Sequence, residues 1–351
     1  MTRTRVFALI AVVSVGIAAA SASRAADPVT LRSADVLPSD SPSVEAVSHL
    51  GTLIRERTDG RLSVEVVANN KESGNYKVSQ VRNGVLAMAR VNLALLSASM
   101  PTTAVLSLPF LFKSRQQMRA VVDGPIGDEI LASMASQGLI GLCFYDAGAH
   151  SYYGKRPIRA AGDLKGLAVQ VPASELTAAI DRSLGAEPVP MPYARARAAL
   201  QIGVVAEADN TWAAYVADRH YEVAPYFNLT EHSRTPGVLV FSKKVWDGLS
   251  AADQRIIRDA ARESVGYERD RLDAFEVEAR RKAETAGAQV IEDIDRKSFA
   301  DMLAPLEGTL LPDPAQQRLI GRIRAPSVAV APKPEKQDEH KPETGTLPLP
   351  R

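Results

Sequence analysis

The polar groups in this 351-residue chain that could do chemistry are suited to hydrogen bonding, and no motif assembles a catalytic centre. Asn210 carries an amide, which both donates and accepts, and Trp212 follows two residues on with a ring that could stack on a ligand or shield an anion. Tyr193 offers a ring and a hydroxyl. Arg195 and Arg197, two apart near a helix start, point in different directions, so one of them could reach a site the other cannot. His150 is a modest donor when neutral and an anion-binding group when protonated. Gln170 has one donor arm and no charge. There is no nucleophile elbow, His-rich metal set, P-loop or dinucleotide glycine fingerprint, so an enzyme is not expected and no cofactor is implied. The single cysteine, Cys143, lies in the apolar run Gly141-Leu142-Cys143-Phe144-Tyr145 with no base beside it in sequence, and reads as a small buried core residue.

The elements that must position these groups follow from periodicity. Val29–Ser33 and Leu62–Ala68 are short β-branched runs. Between them, Val44, Val47, Leu50, Leu53 and Ile54 recur at helical spacing, and Asp59-Gly60 closes that helix. Tyr76–Asn83 reads as a helix, and Leu86–Leu95 contains a strand. Gln116–Gly138 is a helix pair broken at Gly124-Pro125, and Leu139–Tyr145 is a strand. The second half repeats the alternation: strands at 167–171, 187–191, 207–210 and 238–242, helices at 174–184 and 193–203. A long helix runs from a Ser250 cap to about Ala286. Alternation of this kind over this length predicts mixed α/β lobes, and leaves open whether they bind or catalyse.

The termini read differently. Arg3 and Arg5 precede an apolar run, Phe7–Ala20, that is shorter than a bilayer requires, and Ser23-Arg24-Ala25 fits a small-residue cleavage rule, so residues 1–25 are expected to be a secretory signal peptide. Cleavage removes three arginines and no acid, which leaves the mature chain slightly acidic and without a broad pull on nucleic acid. Residues 325–351, rich in Pro, Lys and Glu, are expected to be a disordered tail.

From about Val29 to Phe299 a series of short segments resembles the DctP family of periplasmic solute-binding proteins, which feed TRAP transporters. The segments include Ser107-Leu108-Pro109-Phe110-Leu111-Phe112, Asp123-Gly124-Pro125-Ile126-Gly127, and Asp163-Leu164-Lys165-Gly166-Leu167-Ala168-Val169-Gln170-Val171-Pro172. They continue with Ala199-Leu200-Gln201-Ile202-Gly203, Asn210-Thr211-Trp212 and Thr230-Glu231-His232. Each is weak alone; their order is specific. The resemblance implies a two-lobed α/β clamp of the Venus-flytrap kind, with a long helix spanning both lobes. The first lobe would comprise 27–147 and 236–275, and the second 148–235 and 276–324. It further implies a periplasmic receptor that closes on a small organic acid and docks on a membrane permease. Phe144-Tyr145-Asp146-Ala147-Gly148 and Arg219-His220-Tyr221-Glu222-Val223 look closest to members that take sugar acids such as hexuronates.

Carried over residue by residue, the resemblance makes Asn210 and Tyr193 ligand contacts, Trp212 a stacking ring, and Arg90 and Asn92 cleft-edge anchors from the first lobe. Gln170 stands where the family usually has an arginine, whose planar fork matches a carboxylate. His150 stands where many relatives place a second arginine, and Arg195 is a further departure that could restore the lost charge. The expectation is therefore an organic-acid or sugar-acid receptor with a rebuilt site and an atypical ligand. A binding or sensor module that kept the fold without transport is the alternative.

Overall fold

A computed structural model describes residues 28–325; the expected signal peptide lies outside them, as does the tail beyond Ala325. Two sheets organise the chain. The first holds β1 (Val29–Ala34), β2 (Leu62–Val67), β3 (Met88–Asn92), β4 (Leu139–Tyr145) and, from much later in the chain, β10 (Gly237–Ser242), in the order β2-β1-β3-β10-β4. β10 runs antiparallel between β3 and β4, while β1 pairs in parallel with β2 and β3. Every residue of β10 is buried, as suits a central strand with both faces covered. The second sheet holds β5 (His150–Gly154), β6 (Ala168–Val171), β7 (Glu187–Pro190), β8 (Glu207–Asn210), β9 (Tyr226–Ser233) and β11 (Gln289–Ile291), in the order β11-β9-β5-β8-β6-β7.

Local chemistry accounts for the helix ends. The helix Pro42–Arg57 starts on a proline, whose missing N–H costs nothing in a first turn, and buries Val44, Val47, Leu50 and Ile54. It packs against the long helix Ala251–Thr285, which the Ser250 side chain caps by accepting the Asp253 N–H at 3.1 Å. That helix lies along the first lobe and then reaches the helix Trp212–Ala217 of the second, so it belongs to both, as the resemblance implied.

The chain passes between the lobes at Asp146–Ala149, at Arg234–Pro236, within the long helix and once more ahead of its last helix. At the first crossing Gly148 has φ 81, so the backbone calls for glycine, and a Cβ there would also displace the end of the Glu276 side chain. Two arginines of the helix Arg115–Asp123 clasp this crossing. Arg119 reaches Asp146 at 2.8 Å and Asp273 at 2.8 Å, while Arg115 reaches Asp273 at 3.0 Å and also pairs with Glu276.

The last helix departs from the expected lobe assignment. Pro314–Arg324 turns back to the first lobe instead of staying with the second through residue 324. Its Gln316 amide donates to the Pro101 carbonyl at 2.7 Å, Gln117 donates to the Ile323 carbonyl at 3.1 Å, and Arg322 pairs with Glu129 at 2.7 Å. The cause is its apolar stripe, Leu319, Ile320 and Ile323, which buries itself in a core continuous with the first lobe.

Candidate functional site

Between the lobes lies a cleft with a cavity of about 200 Å³. The first lobe supplies Arg90 and Asn92 from β3 and Lys77 from the helix Gly74–Asn83, together with Glu268 from the long helix. The second lobe supplies His150 from the start of β5, Asn210 from the end of β8, and Tyr193 from the first turn of the helix Tyr193–Ile202. The lobes touch around this space. The Phe110 N–H donates to the His232 carbonyl at 2.8 Å, the Ser174 hydroxyl to the Ala94 carbonyl at 3.5 Å, and Lys71 lies 3.7 Å from Asp218 at the mouth.

On the first wall, Arg90 is held as a rigid fork. Its Nε lies 2.5 Å from one oxygen of Asp35 and its Nη2 2.6 Å from the other, and the pair is almost wholly buried. That leaves Nη1, next to cleft-lining Gly237, without a role in the pair. Asn92 spends its carbonyl oxygen on the Ala94 N–H at 2.9 Å, so its NH2 group is the end left for a ligand. Lys77 is 2 % exposed, and its ammonium donates to the Asn70 carbonyl at 3.1 Å and the Glu72 carbonyl at 2.6 Å. An ammonium has three donors, so one remains. Burial, with Arg90 nearby, draws the Lys77 pKa below the ordinary lysine value, against the opposing pull of Asp35.

On the second wall the polar groups are tied to one another. His150 Nδ1 lies 3.0 Å from Asp209, whose same oxygen is 3.5 Å from His232 Nε2, and His232 Nδ1 meets the Thr230 hydroxyl at 2.9 Å. Burial works to raise the Asp209 pKa, but the two imidazoles outweigh it and hold the carboxyl well below the usual carboxylate range. Asn210 accepts the Thr211 N–H at 2.9 Å through its carbonyl oxygen and so presents its NH2 group. Tyr193 donates its hydroxyl proton to the Ala214 carbonyl at 2.6 Å, which leaves the oxygen as an acceptor.

Five of the eight residues singled out from the sequence line the cleft: Arg90, Asn92, His150, Tyr193 and Asn210. Three do not. Trp212 stacks on Phe227 with ring centroids 3.7 Å apart and belongs to the second lobe's apolar core. Arg195 is exposed, on a face of its helix away from the cavity. Gln170 is 1 % exposed within β6; its Nε2 reaches the carbonyl of cleft-lining Met191 at 3.4 Å, and its Oε1 has no partner among the described residues. Position 170 therefore supports the cleft from behind. Lys77 and Glu268 escaped the sequence reading. A signal for Lys77 existed: it shares the buried side of its helix with Val78 and Val81, where a lysine is out of place unless something receives its charge.

Comparison with known proteins agrees with this architecture. The model of the bacterial extracellular solute-binding protein family 7, DctP, matches residues 33–309. A solute-binding protein of Chromohalobacter salexigens is 31% identical over 78% of this chain and 82% of its own. Two solved TRAP periplasmic solute-binding proteins are more similar. One, from Bradyrhizobium, is 43% identical with a TM-score of 0.82, covers 84% of this chain and 99% of its own, and was solved with α/β-D-galacturonate. The other, from Xanthobacter autotrophicus, is 42% identical with a TM-score of 0.81 over 84% and 98%, and holds β-D-galacturonate.

Proposed function

Because this chain belongs to the DctP family of bacterial extracellular solute-binding proteins, we propose that it captures a hexuronate-like sugar acid in the interlobe cleft and delivers it to the membrane permease of a TRAP-type transporter, working in the periplasm. The observation that carries this reading is the composition of the cleft. Amide donors at Asn92 and Asn210 and the acceptor oxygen of Tyr193 suit hydroxyls, while Arg90 and Lys77 supply positive charge for a carboxylate. The galacturonate held by the two solved relatives supports the same ligand class.

The ligand's carboxylate is anchored unusually in this reading. The position where an arginine is customary holds Gln170, uncharged and behind the wall, so the charge comes from the first lobe, at Lys77 with Arg90. A desolvated ion pair of this kind is worth roughly 2–5 kcal/mol when one partner is removed, or about 30-fold and upward in affinity. The test is titration calorimetry of the purified protein with D-galacturonate, D-glucuronate, succinate and a neutral polyol. Saturable binding of a sugar acid, with the polyol not bound, is the expected result. Preference for the polyol would remove the carboxylate from the reading, and no binding at all would leave a module that kept the fold without transport.

A further inference from the structure

The long helix brings to the cleft a carboxyl group that no group among the described residues fully satisfies. Glu268, near the middle of Ala251–Thr285, is fully buried and lines the cavity. One oxygen accepts the Asp146 N–H at 3.2 Å; Oε1 has no hydrogen-bond partner among the described residues. The other acids on the cavity wall differ. Asp146 is held by Arg119 and by the Gly148 N–H, and Glu72 is exposed. A buried polar atom without a partner is costly, and the cost is recovered when something arrives to pair with it.

The surroundings decide what that arrival is. Arg90 and Tyr145 face Glu268 from the first sheet, Asp146 from the crossing, Arg119 from the helix Arg115–Asp123, and Arg269 from its own helix. Burial first, then the negative charge of Asp146, pushes the Glu268 carboxyl up to about 8, so it is largely protonated at neutral pH. A neutral carboxyl group donates through one oxygen and accepts through the other, which matches a hydroxyl and adds no repulsion toward a carboxylate held at Lys77.

Building on the sugar-acid reading above, we propose that Glu268 is a specificity residue that pairs with a ligand hydroxyl, so that the receptor selects polyhydroxy acids over plain dicarboxylates. A site that hydrogen-bonds a ligand hydroxyl rejects the analogue lacking it, because its own buried group is then left unpaired.

The test compares wild type, Glu268→Met and Glu268→Gln by calorimetry with D-galacturonate and succinate, alongside melting of each ligand-free protein. Glu268→Met is expected to lose roughly 100-fold in galacturonate affinity, to leave succinate binding unchanged or stronger, and to melt no lower than wild type. Glu268→Gln, which keeps hydrogen-bonding atoms in place, is expected to stay within about tenfold of wild type. Galacturonate bound equally well by wild type and Glu268→Met overturns this assignment alone. A ligand-free Glu268→Met that melts well below wild type also overturns it, since the carboxyl would then be structural. A wild type that holds no sugar acid overturns the function proposed above and this assignment with it.

Discussion

The wall of the cleft built by β3, the helix Gly74–Asn83 and the long helix differs from the wall built by β5, β8 and the helix Tyr193–Ile202 in where its charge can go. On the first, Arg90 and Lys77 are buried yet keep unused donors, and Glu268 keeps an unused oxygen. On the second, His150 and His232 each turn one ring nitrogen to Asp209, and Gln170 reaches Met191 behind the surface, its unpaired Oε1 uncharged. A buried charge is expensive, so a protein keeps one with spare valence only where something will use it. In the reading proposed above, the ionic part of recognition falls to the first lobe, and Asn210 and Tyr193 are the polar contacts of the second.

Substitutions can break that contrast. The largest effect is expected at Arg90→Ala, which strands the buried Asp35 carboxylate and should cost about 3–5 kcal/mol of stability in denaturant unfolding. A companion Asp35→Asn should recover much of it, and a loss under ~1 kcal/mol for the single change would show that the fork is not fixed by its partner. Next comes Lys77→Met. Sugar-acid affinity should fall about 30- to 100-fold by calorimetry while the melting temperature holds or rises, because an ammonium with a lowered pKa leaves an apolar helix face. Unchanged affinity would send the anchor elsewhere.

A third test uses pH and the second lobe's sheet. Glu207 is fully buried with neither carboxyl oxygen hydrogen-bonded among the described residues, and a Cβ on the neighbouring Gly154 would come within 2.2 Å of it. Burial, against the weaker pull of Arg156, pushes Glu207 up from 4.5 to about 8. The folded state therefore holds its proton longer than the unfolded one. This contribution to stability is fully present below pH 4.5 and is lost as pH rises through about 8. Glu207→Gln should flatten that decline by on the order of 2 kcal/mol, measured as unfolding free energy at several pH values. A slope identical to wild type would count against a buried neutral acid. The smallest effect is expected at Gln170→Arg. With the anion held across the cleft, as proposed, sugar-acid affinity should rise at most about tenfold. A gain larger than the loss at Lys77→Met would return the anchor to the second lobe and reverse the comparison.

Much of the fold could be read in advance because its punctuation is strong. Asp59-Gly60, the Gly124-Pro125 pair and the Ser250 cap mark element ends in the structure as they do in the chain. β5 and β9 were not legible, since their buried polar residues, among them His150, Ser151, Asn228, Thr230 and His232, hide the strand alternation. The site was legible where a residue's chemistry suits a cleft edge and nothing competes for it, as at Asn92 and Asn210. It failed at Trp212, because a large ring serves a core as well as it serves a ligand, and Phe227 was the nearer partner. It failed at Lys77 because a lysine on a short helix reads as a solvated charge until its helical face is known.

The long helix has a mechanical consequence. At 35 residues it extends about 52 Å, and it is continuous through the junction between lobes instead of being jointed there. Rigid-body swivelling of one lobe would break its hydrogen-bond ladder, whereas a gentle bend would not. Any separation of the lobes would therefore have to flex this helix, like a leaf spring clamped at both ends. A glycine pair placed at the middle of the helix should then widen the range of inter-lobe distances read by two spectroscopic labels, and an unchanged range would show that the helix does not set it.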